Sequence, residues 1–286
     1  MSIQWFPGHM TRARRQIEEK LPAIDLIFEL LDARMPVSSR NPLIRDITSK
    51  KPRLVLLNKI DLADPVQTER WVKRMNDEGV PVLPINSTLG DPSKMMTQAV
   101  DQTLKSLKER WASKNMQPRA FRALVVGIPN VGKSTLINRL AKRQVAATGD
   151  RPGITKAQKW IKVSDKLELL DTPGVLWPKF DDQLVGFVLA ATGSIKDEIL
   201  PIEEVAHFVI QFFQRVYPER LAERFSVTLD QVTEMEPADW WELIGRKRGC
   251  LASGGVVDYE KTARAILNEL RSGKWGRYTF DLPNEL

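Results

Sequence analysis

Residues Gly127-Ile128-Pro129-Asn130-Val131-Gly132-Lys133-Ser134 read G-x-x-x-x-G-K-S, directly after an apolar run at 123–126 and before a helical pattern at 135–141. Strand, glycine loop, lysine, hydroxyl and helix in that order predict a phosphate-binding loop. The glycines let backbone N–H groups curl around phosphate oxygens, and the helix N-terminus adds partial positive charge. Lys133 is placed to reach the β- and γ-phosphates and Ser134 to bind Mg²⁺; Asn130, Val131, Gly132, Lys133, Ser134 and Thr135, with Gly174, form the expected phosphate set. A bound nucleotide follows from this stretch.

Downstream, Asp171-Thr172-Pro173-Gly174 closes the apolar run 167–170. An aspartate at a strand tip can hold the Mg²⁺ shell, and the Gly174 N–H can meet the γ-phosphate. Between the two motifs lies the Gly/Pro-rich stretch 149–155, where Thr155 is the candidate for a second hydroxyl on Mg²⁺.

Upstream, Asn58-Lys59-Ile60-Asp61 follows the apolar run 54–57. The Asp61 carboxylate can accept from guanine N1–H and the exocyclic amine, whereas adenine presents an acceptor there; the Lys59 stem can lie along the base, and Asn58 can tie the base loop to the phosphate loop. Asn86-Ser87-Thr88, after the run 81–85, is the expected place for a backbone N–H to meet guanine O6. The base motif therefore precedes the phosphate loop in the chain.

Apolar runs at 26–31, 54–57, 81–85, 123–126, 159–163 and 167–170 alternate with helical patterns at 68–77, 95–111 and 135–141. This predicts a doubly wound, mostly parallel α/β sheet, with a hairpin turn at 164–166. The first twenty residues suggest a basic amphipathic helix after a loop spanning Trp5 to Met10. Beyond residue 178 only helical patterns remain, at 202–216, 238–246 and 259–270. Two domains are expected, 1–178 and a smaller all-α domain at 179–286.

The net charge of +7 and pI near 9.5 suit either a polyanionic partner or a modestly basic enzyme. Arg246, Lys247, Arg248, Lys261, Arg264, Arg271, Lys274 and Arg277, with Trp275 and Tyr278 interleaved, suit phosphate contact and base stacking on RNA. An ordinary solvated helix face is the alternative, supported by Asp258, Glu260 and Glu269 in the same stretch. No apolar run reaches the ~20 residues of a membrane span, the N-terminus lacks the layout of a secretory signal, and the single Cys250 cannot form an internal disulfide. A cytoplasmic address is expected, with no membrane partner and no DNA partner.

The order of base motif, phosphate loop and Asp-x-x-Gly, together with Trp5-Phe6-Pro7-Gly8-His9-Met10, Asp32-Ala33-Arg34 with Pro36, and the ending Arg271-Ser272-Gly273-Lys274-Trp275-Gly276, resembles the circularly permuted GTPases of ribosome biogenesis over essentially the full length. The resemblance implies a GTPase that binds GTP and GDP, associates with the precursor of the large ribosomal subunit and acts late in its maturation. Many GTPases carry after Asp-x-x-Gly a glutamine that orients the attacking water; this chain has Val175. The resemblance supports His9 as the catalytic group instead, a contact to RNA or a loop-capping role being the alternatives. It also implies a potassium ion near Asn130. A nucleotide-gated RNA-binding placeholder with incidental hydrolysis is the second reading.

Overall fold

The computed structural model of the chain describes residues 8–117, 119–146, 159–177, 180 and 182–284, with side chains from residue 14 onward except that of 159. Two compact units emerge: a larger one, Gln4–Phe180 with Asp281–Leu286, and a smaller one, Asp181–Phe280.

In the larger unit six strands, β1 (Leu26–Asp32), β2 (Arg53–Asn58), β3 (Val82–Pro84), β4 (Phe121–Val126), β5 (Lys159–Ser164) and β6 (Leu167–Asp171), form one sheet in the order β3-β2-β1-β4-β6-β5. All pairings are parallel except the β5–β6 hairpin. β1 is buried at every position, as a central parallel strand covered on both faces requires. The helices of this unit are α1 (Gly8–Lys20), α2 (Pro42–Ile47), α3 (Pro65–Asp77), α4 (Ser93–Thr103), α5 (Lys105–Ser113) and α6 (Lys133–Ala141).

The chain runs outward from β1 through β2 to β3, then returns to the other side of β1 with β4. The strand order thus reverses between β1 and β4, and open α/β sheets bind ligands in the crevice beyond the strand ends at such a point. Register brings the ends together: Asp32 lies opposite Asn58, and Val125 opposite Asp171.

Several elements differ from the sequence expectation for identifiable reasons. The helix expected at 68–77 starts earlier because Asp64 caps it, accepting from Val66 N and Gln67 N with Pro65 at the first turn. The single helix expected at 95–111 is two, α4 and α5, parted at the fully buried Leu104. His9, expected in a loop, has its backbone in α1. Residues 281–284 fold onto the larger unit: Asp281 accepts from Val37 N, Ser38 N and Ser38 Oγ, each at 2.7 Å, while Trp71 Nε1 donates to the Asp281 carbonyl.

The smaller unit is helical: α7 (Gln183–Ala191), α8 (Ile202–Val216), α9 (Pro218–Phe225), α10 (Leu229–Glu234), α11 (Pro237–Lys247) and α12 (Tyr259–Arg271). Its core is aromatic, with Phe213 meeting Trp275 edge-on at 5.1 Å and Phe225 meeting Trp275 at 5.4 Å. Among the described residues no helix is long and apolar enough to cross a membrane.

Candidate functional site

The loop after β4 carries Gly127 to Ser134 into α6. Gly132 sits at the helix entrance with φ +101°, in the left-handed region that favours glycine, and a Cβ there would lie 2.3 Å from Asn58 Nδ2. Glycine at this position therefore serves both the turn and the approach of the base motif. Lys133 is buried and donates to the carbonyls of Gly127 at 2.9 Å and Ile128 at 2.8 Å. Its ammonium is held within the loop whose N–H groups would receive phosphate. Ser134 and Thr135 follow in the first turn, half-buried.

Asn58 joins the base motif to this loop. Its Nδ2 donates to the Val131 carbonyl at 2.8 Å, across 73 residues of chain, and its Oδ1 accepts from Ser87 N at 3.0 Å and Ser87 Oγ at 2.8 Å. Three loops, after β2, β3 and β4, thus meet on one buried side chain. Ile60 N reaches the Ile85 carbonyl, and Asp61 stands exposed beyond it, its carboxylate available to a ligand. Asn86 Oδ1 accepts from Thr88 N and Thr88 Oγ1, turning the chain where an O6-directed N–H was expected.

The Asp-x-x-Gly segment closes the other side. Thr172 Oγ1 donates to the Val125 carbonyl at 2.6 Å, and a Cβ on Gly174 would meet Pro129 Cα at 2.8 Å and Lys133 Nζ at 2.9 Å. Asp171 is buried, and its Oδ1 has no hydrogen-bond partner among the described residues. Burial pushes the Asp171 carboxyl up to about 6 against the attraction of Lys133, and pushes the Lys133 ammonium down to about 8 against that of Asp171. Each group is set for a ligand of opposite charge, a cation at Asp171 and an anion at Lys133. This arrangement of loops can hold a guanine beside Asp61 and a metal-bound polyphosphate between Lys133 and Asp171.

Comparison with known proteins agrees. Residues 122–236 match the family described as 50S ribosome-binding GTPase. "Ribosome biogenesis GTPase A" of Bacillus cereus is 52% identical over 100% of this chain and 95% of its own length. The chain belongs to the ribosome biogenesis GTPase A family. Among solved structures, GNP-bound YlqF from T. maritima is 30% identical, covering 95% of this GTPase and 98% of the other chain with a TM-score of 0.66. A GDP-bound structure of TM YlqF is 28% identical, covering 94% and 100% with a TM-score of 0.68. The protein is a GTPase, and its circularly permuted α/β fold with a helical C-terminal unit is shared with these relatives.

Thr155 lies outside the described residues of this GTPase, as does the side chain of His9. Val175 is described; its carbonyl accepts from Asn41 Nδ2 at 2.8 Å. Asn130 adopts φ +58° in the phosphate loop.

The eight basic residues expected to meet RNA divide. Arg271 is engaged internally: it grips both Asp197 carboxylate oxygens at 2.8 Å and donates to the carbonyls of Ala190 and Ala191. Arg248 and Arg224 converge on Glu269. Arg246, Lys261 and Arg264 are exposed and, among the described residues, pair within their own helical turns, contacts worth little in water. Lys247 donates to the Phe225 carbonyl, and Lys274 and Arg277 are exposed. Stacking of bases on Trp275 and Tyr278 is not supported: both rings are buried in the helical core, because an aromatic side chain gains more from apolar burial than from exposure.

Two features went unassigned in the sequence. Asp32 and Arg34, both within 2% of complete burial, form an ion pair at 2.8 Å beneath the base motif. Asn41 reaches the Val175 carbonyl. Charged residues at the end of an apolar run signal a strand-tip site, but Lys59, the third member of the cluster, comes from the end of the neighbouring strand.

Proposed function

We propose that this GTPase couples GTP binding and hydrolysis to association with, and release from, the precursor of the large (50S) ribosomal subunit late in its assembly, in the cytoplasm. The observation that supports the nucleotide part is the Asn58–Val131 hydrogen bond, which joins the Asn58-to-Asp61 motif to the Gly127-to-Ser134 loop. The ribosomal part draws on the family and on the description 50S ribosome-binding GTPase for residues 122–236.

Asp61 reads the guanine edge, with Lys59 and Ile60 beside it and Asn86, Ser87 and Thr88 along the base. Asn130, Val131, Gly132, Lys133, Ser134, Thr135 and Gly174 hold the phosphates. Magnesium fits the donors present: Asp171 Oδ1, without a hydrogen-bond partner among the described residues, and the Ser134 hydroxyl are oxygen ligands of the kind a hard cation takes, and Thr155, outside the described residues, is the proposed second hydroxyl. When bound, it neutralises charge on the β- and γ-phosphates. Asn130 would help hold a potassium ion, which would supply further positive charge beside the phosphates. His9 orients or deprotonates the attacking water in place of the glutamine that Val175 displaces. Arg246, Lys247, Lys261, Arg264, Lys274 and Arg277 offer the exposed cations for ribosomal RNA, whereas Arg248 and Arg271 hold the helical core.

Val175 at the glutamine position also favours a second reading, an RNA-binding placeholder whose hydrolysis is incidental. GTP turnover with and without large subunits decides between them. The timer requires stimulation by the particle and its loss in His9→Ala with GTP affinity retained. Equal turnover in the presence and absence of particles would sustain the placeholder, and equal stimulation of variant and wild type would remove His9 from the reaction.

A further inference from the structure

Beneath the proposed base pocket lies a buried charge cluster. Asp32 ends β1 opposite Asn58 in β2, and the Ala33 N–H donates to the Asn58 carbonyl at 2.8 Å. The tips of the two strands are therefore locked together where the chain turns into Lys59. Three donors from Arg34 fix the Asp32 carboxylate: the backbone N and Nε on Oδ1, each at 3.0 Å, and Nη2 on Oδ2 at 2.8 Å. The second carboxylate oxygen is shared, because Lys59 Nζ sits 3.2 Å from Oδ2. Despite complete burial, the cations beside it hold the Asp32 carboxyl far below the usual carboxylate range, so it stays ionised.

We infer that Asp32, clamped by Arg34, is a positioning residue for guanine-nucleotide binding: it holds the Lys59 ammonium so that the lysine stem is already laid out as the floor of the base pocket before a nucleotide arrives. This rests on the base-pocket reading given above.

The physical reason lies in the lysine itself. A lysine stem has four rotatable bonds and loses about 2 kcal/mol of rotamer freedom when fixed. If the nucleotide had to fix it, that loss would be subtracted from its affinity. Here the strand end fixes the backbone, with Lys59 at φ +62° and its carbonyl accepting from Leu62 N, and Asp32 fixes the far end. Arg34 has two consequences. Its planar fork keeps the carboxylate in one orientation, and its charge leaves Asp32 paired when Lys59 moves. Arginine suits this better than lysine, whose ammonium cannot bind two carboxylate oxygens in a plane.

The test is a double-mutant cycle on the full-length protein, read by titration with a fluorescent GDP. Asp32→Asn is expected to weaken GDP binding about tenfold, the scale of one charge-assisted hydrogen bond. Lys59→Met keeps an apolar stem but has no ammonium to hold. If Asp32 acts through Lys59, the double variant binds GDP as weakly as Lys59→Met alone; additive losses would overturn the inference.

Because Asp32→Asn leaves a buried Arg34 without its full partner and can fail to fold, a second measurement uses the wild type. Amine acylation of the nucleotide-free protein, followed by mass spectrometry, is expected to leave Lys59 unmodified while the exposed Lys142 reacts. Lys59 reacting as fast as Lys142, and gaining protection only with GDP, would equally overturn the inference. Asp61→Asn separates this inference from the reading beneath it. That variant is expected to prefer xanthosine diphosphate over GDP, and if the preference does not change, the base pocket itself is misassigned whatever the cycle shows.

Discussion

Asn58→Ala is the most incisive perturbation of the site, because one buried side chain holds three loops. It removes a donor to the Val131 carbonyl and an acceptor for both Ser87 N and Ser87 Oγ. At about 1 kcal/mol net for each hydrogen bond, the loss is about 3 kcal/mol. It is made worse where the Val131 carbonyl and the Ser87 N–H stay buried without a partner. For a unit of this size the melting temperature then falls by roughly 6–12 °C. Calorimetry on the nucleotide-free protein reads the stability, and GDP titration reads the pocket, which should weaken because the base and phosphate loops are no longer tied. Asn86→Ala is the control: it loses only a local turn on half-exposed chain and should cost under about 1 kcal/mol. If Asn58→Ala melts with the wild type and binds GDP as well, the idea that this side chain assembles the site is wrong.

Gly132→Ala should weaken GDP binding at least about tenfold, since an L-residue at φ +101° is strained by about 1–3 kcal/mol and its Cβ runs into Asn58; retained affinity would mean the loop can relax. Asp281→Ala should destabilise the larger unit by about 3 kcal/mol, the worth of three lost hydrogen bonds, and an unchanged melting temperature would show that the C-terminal return contributes nothing. Acid sensitivity of the helical unit should trace to Glu269. Burial raises its pKa, but hydrogen bonds from Arg248, Arg224 and Trp275 lower it further, to a net value below its ordinary 4.5. Its stabilisation is therefore present above that ordinary value and lost as pH falls through the native one. Melting curves from pH 6 down to pH 3 should drop more steeply for wild type than for Glu269→Gln, and parallel curves would contradict this.

What the sequence disclosed follows from how local each signal is. Gly127 to Ser134 is readable as a phosphate loop because such a loop's own backbone makes the site, and Asn58 to Asp61 is readable as a base motif because a strand tip presents consecutive residues to one proposed ligand. The central parallel strands β1, β2 and β4 were legible as apolar runs because they are buried along nearly their whole length. Helix α2 was not, since its six residues are defined by the Asn41 cap and by Pro42 rather than by periodicity. The Asp32–Arg34–Lys59 cluster was invisible for another reason: an aspartate and an arginine two residues apart look like solvated loop until a neighbouring strand buries them. The stacking expectation for Trp275 and Tyr278 failed similarly. Aromatics among cations fit an RNA face and a packed core equally well, and only the positions of Phe213 and Phe225 decide.

The inverted motif order does not alter the chemistry, because in a parallel sheet every strand delivers its C-terminal end to the same edge. Asp32, Asn58, Gly127 and Asp171 arrive there from four strands whose order in space is set by pairing, not by order in the chain. Chain order instead decides what each loop is attached to. After Asp171 the chain passes Val175 and leaves the larger unit at residue 180; it returns at Asp281, which binds Val37 and Ser38. Three residues beyond Ser38, Asn41 holds the Val175 carbonyl. Departure and return thus converge on one short segment, 37–41, which follows directly on Asp32 and Arg34 under the base motif. If the Asp-x-x-Gly segment rearranges on loss of the γ-phosphate, as the proposed function requires, the Asn41 contact would break or be dragged with it, and segment 37–41 would carry that change to both the base motif and the C-terminal return.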